Sequence, residues 1–338
     1  MLSDVRWMGN SAPRLDLPDA QALRTALRRT PTGRTADRVM DLLTAAAAVG
    51  LLLLAAAIAG AMAVPAGPAL RRFGLAFLIS QDWNPVSGAF GALPFLYGTV
   101  VSSALALLLG GPVALGTAIA LAELVSPPAR GVLAALVELL AAIPSVVYGL
   151  WGIFVLAPFL RTTVEPLLGR SLGVLPLFSG PPYGVGMLAG GLILAIMIIP
   201  TIAAVSRDAL RTVPGDLREA MLALGATRWE VIRHVVLPCA RSGLIGALGL
   251  GMGRALGETM AVTMVIGNRP VISASLFAPG YTLTAVIANE FSEATDDLHL
   301  AALMEIGLVL LGLTVAANAV ARLLVWHGRT DNGRAGQR

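Results

Sequence analysis

The sequence predicts an all-α membrane protein with six transmembrane helices. Hydrophobic residues make up 56% of its 338 residues and charged residues only 13%, which is too apolar for a soluble domain of this length. Long apolar runs recur along the chain between polar, proline-containing and glycine-containing segments. Each run has about the 20 residues that a helix needs to cross the hydrocarbon layer of a bilayer.

The six predicted spans follow an arginine-rich arm at residues 1–39. We place the spans at residues 40–64, 95–122, 131–160, 183–205, 243–267 and 299–326, with a tail at 327–338. Residues 19–29 of the arm have the charge pattern of a short helix. The first span is expected to stay uncleaved, because the leader before it is too long for a signal peptide.

Glycine and proline interrupt the apolar runs. The sequence Gly110-Gly111-Pro112 predicts a kink or a break in the second span, and Pro144 interrupts the third. Such interruptions serve helix packing in some membrane proteins and line a transport path in others. Both interpretations remain open for these positions.

The arginine distribution predicts the orientation of the chain. The sequence has no lysine, and eighteen of its 24 basic residues fall in the arm, the turn at 123–130, the loop at 206–241 and the tail, if Arg322 at the end of the last span is counted with the tail. By the positive-inside rule, both termini and this loop are expected to be cytoplasmic. Without a lysine the chain cannot supply the Walker A lysine that holds ATP, so we do not expect it to be an ATPase.

The polar loop at residues 206–241 predicts two short helices. Pro214 or Asp216 starts the first, Gly225 permits a sharp turn, and residues 226–236 form the second. From these residues alone, an amphipathic surface segment between two spans is the simplest interpretation.

The spacing within this loop resembles the EAA loop of ABC-importer permeases. The similarity rests on Glu219-Ala220, on Gly225 and on Leu237-Pro238, whereas Met221 departs from the second alanine of the pattern. The resemblance implies a type I ABC importer permease fold and a coupling helix that fits a cleft of a cytoplasmic ATPase. The implied coupling residues are Glu219, Ala220, Gly225, Arg228, Trp229, Leu237 and Pro238.

A second resemblance specifies the family further. Residues 253–268 (GRALGETMAVTMVIGN) and 143–152 are similar to segments of the PstC family, the permease subunits of bacterial phosphate importers. The similarity extends over about residues 40–326. It implies a multi-pass protein of the bacterial inner membrane that forms half of a path for inorganic phosphate. Alternatives are the sister permease PstA and the sulfate or molybdate permeases, which share the EAA pattern.

The PstC resemblance also implies an assembly. Its members are a PstA-like second permease, two copies of a PstB-like ATPase and a periplasmic PstS-like phosphate-binding protein. ATP would be bound by the ATPase, so no cofactor is expected on this chain, and no nucleic acid is expected as a partner. In a different functional class, the alternatives are a channel or carrier that needs no ATPase, and an intramembrane hydrolase. We find no catalytic motif for the latter.

Arg254 and Glu258 are candidate residues of the substrate path. They are four residues apart in the fifth predicted span, which places them on one helical face. Charged groups at this depth are expected to face protein or water. The pair either fixes helix packing or places the donors of Arg254 where they meet a phosphate oxyanion. The PstC resemblance supports the second interpretation.

The remaining polar residues carry weaker hypotheses. Glu123, Glu138, Asp208 and Glu305 have no partner that the sequence identifies. The three histidines are too scattered for a metal site, and Cys239 is interpreted as a small apolar filler. A last group of acidic residues is either a solvated loop or a docking surface for the phosphate-binding protein, shared with residues 80–94: Glu290, Glu293, Asp296 and Asp297.

Overall fold

The computed structural model describes residues 31–335, with side chains described for residues 36–326. The predicted short helix at 19–29 and most of the arginine-rich arm lie outside the described residues. The chain divides into two units, one up to Ile58 and the other from Ala59 onward. Among the described residues the regular secondary structure is helical, apart from two isolated bridges, Asn84–Ala89 and Gly267–Gly280.

Six of the helices are long and apolar enough to cross a membrane, which confirms the predicted number of spans. They are α1, α3, α5, α6, α8 and α11 in the following numbering. The helices are α1 Pro31–Phe73, α2 Ala76–Ile79, α3 Leu93–Leu124, α4 Pro127–Ala142, α5 Ser145–Leu172, α6 Met187–Arg211, α7 Gly215–Ala223, α8 Arg228–Gly257, α9 Met260–Val265, α10 Leu283–Glu290 and α11 Asp297–Ala335.

The third predicted span is divided into two helices, α4 and α5. Ile143 is extended, with φ −67° and ψ 127°. The following Pro144 has no backbone N–H, and its ring disfavours a helical conformation in the residue before it. The helix long enough to cross is therefore α5, which runs beyond the predicted end of the span at residue 160.

Three of the prolines inside long helices directly follow a π turn. In each case the residue before the proline donates its N–H to the carbonyl five residues earlier: Ala157 to Gly152, Glu165 to Leu160, and Leu237 to Ile232. Each of these π turns inserts one extra residue into the helix. The helix can therefore continue although Pro158, Pro166 and Pro238 have no backbone N–H to donate. As a result α5 and α8 continue through their prolines.

The predicted break at Gly110-Gly111-Pro112 does not occur, since α3 is helical across all three residues. Gly110 instead serves helix packing. A Cβ atom at this position would lie 2.7 Å from the carbonyl oxygen of Ala195 in α6. Glycine thus lets the backbones of α3 and α6 approach closely, as small residues do in membrane helix pairs.

Helix α6 is central to the unit that begins at Ala59. It packs against α3, α4 and α8, and it buries Ile193, Leu194, Ile198 and Ile202. Helix α8 also packs against α11, and α9 packs against α5. Both candidate site regions are therefore attached to this central helix through α8.

Candidate functional site: a two-helix loop continuous with a membrane helix

The loop after α6 has the two-helix form that the sequence predicts. Helix α7 begins after Pro214 and ends at Ala223. Gly225 then adopts φ +86°, a conformation that side chains with a Cβ disfavour. Thr227 and Glu230 form a reciprocal capping box at the start of α8, which satisfies two N–H groups of the first turn. Glycine and threonine thus fix the angle between the two helices.

The second helix of the loop and the fifth span form one helix. We predicted a separate helix at residues 226–236 and a span from residue 243. Helix α8 instead runs without interruption from Arg228 to Gly257, because the π turn at residues 232–236 absorbs Pro238. Leu237 and Pro238 therefore lie within this continuous helix.

The inner face of the loop packs on the ends of the membrane helices. A cluster of buried residues joins Val213 and Val231 of the loop region to Ala118 of α3 and Leu210 of α6. Met221 packs against this cluster. The residue that departs from the EAA pattern therefore fills the loop's own core, and its size is accommodated within this chain.

The outer face of the loop exposes the other predicted coupling residues. Glu219, Ala220 and Arg228 are exposed. Leu224 is 84% exposed and Trp229 is 59% exposed. Large apolar side chains presented this openly, beside charged ones, are typical of an interaction surface. The predicted coupling residues of α7 and of the first turn of α8 are therefore all exposed in this chain.

An ion pair that the sequence did not identify fixes α7 to the membrane helices. Arg218 Nη2 donates to Glu123 Oε1 at 2.8 Å. The same guanidinium donates to the carbonyl oxygens of Leu210 and Val213 at 2.9 and 2.6 Å. Arg218 therefore joins the loop to the ends of α3 and α6, and Glu123 is not a lone carboxylate.

Glu138 and Asp208 also have a partner that the sequence did not identify. Arg207 in α6 pairs with both Glu138 of α4 and Asp208, each at 3.0 Å. Glu305 is buried, and its Oε2 atom has no hydrogen-bond partner among the described residues. Cys239 is exposed, so it does not fill space within the core of this chain.

Arg254 and Glu258 lie on either side of a helix end. Helix α8 ends at Gly257, and Glu258 is extended, with ψ 130°. Arg254 Nη1 donates to Thr201 Oγ1 of α6 at 3.1 Å, whereas Glu258 Oε1 accepts the N–H of Ala261 at 3.3 Å. The predicted arrangement on one helical face is therefore wrong, and no salt bridge joins the two within the described chain. The helix end at Gly257, which the apolar run at residues 243–267 did not indicate, accounts for this.

One side of the segment that holds this pair is uncovered in this chain. Arg254 is partly buried, while a Cβ atom added at Gly253 or Gly257 would meet no heavy atom within 4 Å. Gly257 and Met260 are exposed. Arg254 therefore lies at the edge of an uncovered surface of the helix, supported from one side by Thr201.

Glu290, the last residue of α10, faces the protein interior. Its carboxylate accepts the indole N–H of Trp83 at 2.9 Å and lies 3.1 Å from His299 Nε2. His299 is buried and stacks on Phe90. Burial raises the pKa of the neighbouring Tyr281, whose hydroxyl lies 3.4 Å from Glu290, to about 12. Glu290 thus joins residues 80–92 to α10 and α11, while Glu293, Asp296 and Asp297 remain exposed.

The fold and the loop define a class of protein, the membrane permeases of ABC importers. Residues 110–325 match the family described as "Binding-protein-dependent transport system inner membrane component". A solved structure of a bacterial alginate ABC transporter, in complex with an alginate pentasaccharide-bound periplasmic protein, has a TM-score of 0.54 and 18% identity over 86% of this chain and 97% of that one. A solved structure of the MetNI methionine ABC transporter in an inward-facing conformation has a TM-score of 0.50 and 20% identity, over 70% of this chain and 94% of that one. These two similarities concern the fold alone.

Within this class, the chain belongs to the PstC family of permeases. It is 48% identical to the phosphate transport system permease protein PstC of Mesorhizobium japonicum, over 86% of this chain and 90% of that protein. It is 44% identical to the phosphate transport system permease protein PstC of Xylella fastidiosa, over 88% of this chain and 94% of that protein. Its identity to PstC 1 of Mycobacterium tuberculosis is 38%, over 76% of this chain and 83% of that protein.

Proposed function

We propose that this chain is a permease subunit of an ATP-driven importer of inorganic phosphate. The observation that carries the proposal is its membership of the PstC family at up to 48% identity over most of its length. The relatives are named as permeases and not as ATPases, so the chain supplies a transport path and not ATP hydrolysis.

Coupling to an ATPase occurs through the loop at residues 219–238. The exposed surface of this loop, with Trp229 and Leu224, is the part that fits a groove of the ATPase. Helix α8 has 30 residues, and Arg254 therefore lies about 40 Å along it from Arg228 at 1.5 Å per residue. Movement of the loop is transmitted to Arg254 by one continuous helix.

Arg254 and Glu258 line the path in distinct ways. Arg254 presents a planar, permanently charged donor group beside open space, and such a group suits a phosphate oxyanion. Glu258 caps the first turn of α9 and so holds the helix end at Gly257 in place. The uncovered surface around Gly253 and Gly257 is completed by the second permease, which supplies the other half of the path.

The assembly comprises this chain, a PstA-like permease, two PstB-like ATPase subunits and a periplasmic PstS-like phosphate-binding protein. The arginine distribution supports an orientation with both termini and the coupling loop in the cytoplasm of a bacterial cell. The exposed residues Glu293, Asp296 and Asp297 then face the periplasm, where they are accessible to the binding protein. Closure of the ATPases alternates access to the path from the two sides.

Affinity purification of the full chain from its own host tests this proposal. We expect an ATPase subunit and a second permease to copurify, and we expect Trp229→Ala to lose the ATPase while keeping the permease. Trp326→Ala is a matched control, because Trp326 is similarly exposed, at 61%, and lies outside the loop. Purification of the wild-type chain without any ATPase would favour the channel or carrier alternative.

A further inference from the structure

A pocket beside the coupling loop is lined by three arginine side chains. It has a volume of about 510 Å³ and lies between the end of α3, the start of α4 and the two helices of the loop. Arg130, Arg218 and Arg228 line it together with one carboxylate, Glu123. None of the proposed steps of transport uses this pocket.

Many of the arginine donors at this pocket have no acceptor in the described chain. Arg218 already donates hydrogen bonds to Glu123 and to two carbonyl oxygens. Arg130 makes a single hydrogen bond among the described residues, from Nη2 to the carbonyl oxygen of Val125 at 3.1 Å. The Nε atoms of Arg130 and Arg218 also lack a partner, but they are buried, so the donors that the pocket exposes are the Nη groups of Arg130 and the guanidinium of Arg228. Arg228 is exposed, and among the described residues no hydrogen bond or ion pair involves its side chain.

The charge at the pocket is strongly unbalanced. Three guanidinium groups, which do not lose their protons in proteins, face one carboxylate. The pocket also receives the positive end of α4, a helix of 16 residues whose N-cap, Ser126, makes no side-chain capping bond. An anion bound here would offset this charge and would accept the unpaired donors of Arg130 and Arg228.

We infer that this pocket binds a phosphate-type oxyanion, supplied either by the headgroup of an acidic phospholipid or by free inorganic phosphate. The planar guanidinium of arginine can donate two parallel hydrogen bonds to two oxygens of one phosphate. The pocket volume of about 510 Å³ accommodates either a lipid headgroup phosphate or inorganic phosphate. The bound oxyanion bridges Arg130 of α4 to Arg228 at the start of α8. It thereby fixes the position of the coupling loop relative to the membrane helices. This inference does not depend on which substrate the chain transports.

The test uses the purified full chain in nanodiscs, in an Arg254→Gln background that removes the path arginine. In one arm, the nanodiscs contain only phosphatidylcholine, and binding of radioactive inorganic phosphate is measured at equilibrium. In the other arm, phosphatidylglycerol is included, and native mass spectrometry counts the acidic lipid that the protein retains. Saturable binding in the first arm identifies free phosphate, and retained lipid in the second identifies a headgroup.

Arg130→Gln should weaken binding by about tenfold in whichever arm is positive, because it removes charge-assisted donors. Arg211→Gln is the matched control: Arg211 is exposed at the end of α6 and does not line the pocket. Arg228→Gln provides a second variant if Arg130→Gln does not elute as a folded protein. The inference is overturned if neither ligand binds, or if both pocket variants bind as tightly as Arg211→Gln.

Discussion

Arg218 on the first helix of the coupling loop donates to Glu123 at the end of α3 across 2.8 Å. The two residues are 95 positions apart in the sequence. Because the same guanidinium also satisfies the carbonyl oxygens of Leu210 and Val213, one side chain connects the loop to two membrane helices. A displacement of α7 would therefore also displace the ends of α3 and α6, in addition to α8.

Removal of Arg218 is expected to destabilise the loop. Arg218→Gln should lower the free energy of unfolding by about 1–3 kcal/mol, since both partners are largely buried and three acceptors lose a charged donor. Thermal unfolding of the detergent-purified chain measures this loss. Asp208→Asn is the control, because that carboxylate is mostly exposed, and it should leave the transition unchanged. Equal stability of Arg218→Gln and the wild type would contradict the structural role.

The positive φ of Gly225 gives a sharper prediction about coupling. Gly225→Val should penalise the turn by about 1 kcal/mol or more and abolish ATP-driven uptake at normal membrane abundance. Gly215→Val is the matched control, because a Cβ meets open space at both positions and only Gly225 has a positive φ. If Gly225→Val supports uptake as well as Gly215→Val does, the turn is not needed for coupling.

Substitutions at Arg254 separate charge from donor geometry. We expect very low phosphate uptake in Arg254→Gln and partial uptake in Arg254→Lys, which keeps the charge but loses the planar fork of donors. Exchange of Arg254 and Glu258 should not restore uptake, because the helix ends between them and neither position can replace the other. Uptake and membrane abundance are measured together. Near-normal uptake by Arg254→Gln in an assembled importer would exclude a contact with the substrate.

The orientation can be measured by cysteine labelling. In a Cys239→Ala background, Ser87→Cys and Ser292→Cys should react with a membrane-impermeant maleimide in intact spheroplasts, because both positions are exposed in the outer loops. Cys239 of the wild-type chain should react only after permeabilisation. The reverse pattern would place the coupling loop outside the cell and would rule out its contact with a cytoplasmic ATPase.

Much of the fold could be predicted because its signals are local. Apolar runs gave the six spans, and the sequence around Gly225 gave the two-helix loop, since turn residues and caps act within a few positions. Pro144 was recognised as an interruption for the same reason. The effect of Pro238 was less predictable, because a proline either ends a helix or is absorbed by a π turn, and neighbouring packing decides which occurs.

The partners of charged residues could not be predicted, because they depend on tertiary contacts. Glu123 meets Arg218, and Glu138 meets Arg207 at a separation of 69 positions. The spacing of Arg254 and Glu258 suggested a pair on one helix, but the end of α8 at Gly257 separates them. Spacing of four residues predicts a contact only where the helix is known to continue.

We propose that this chain carries phosphate under the control of an ATPase bound to its loop. Proteoliposomes that contain the assembled importer, with the phosphate-binding protein outside and ATP inside, test this most directly by uptake of radioactive phosphate. We predict uptake that requires ATP, that excess sulfate or molybdate does not reduce, and that Gly225→Val abolishes. Phosphate uptake that continues without ATP, or preferential transport of sulfate or molybdate, would contradict the claim.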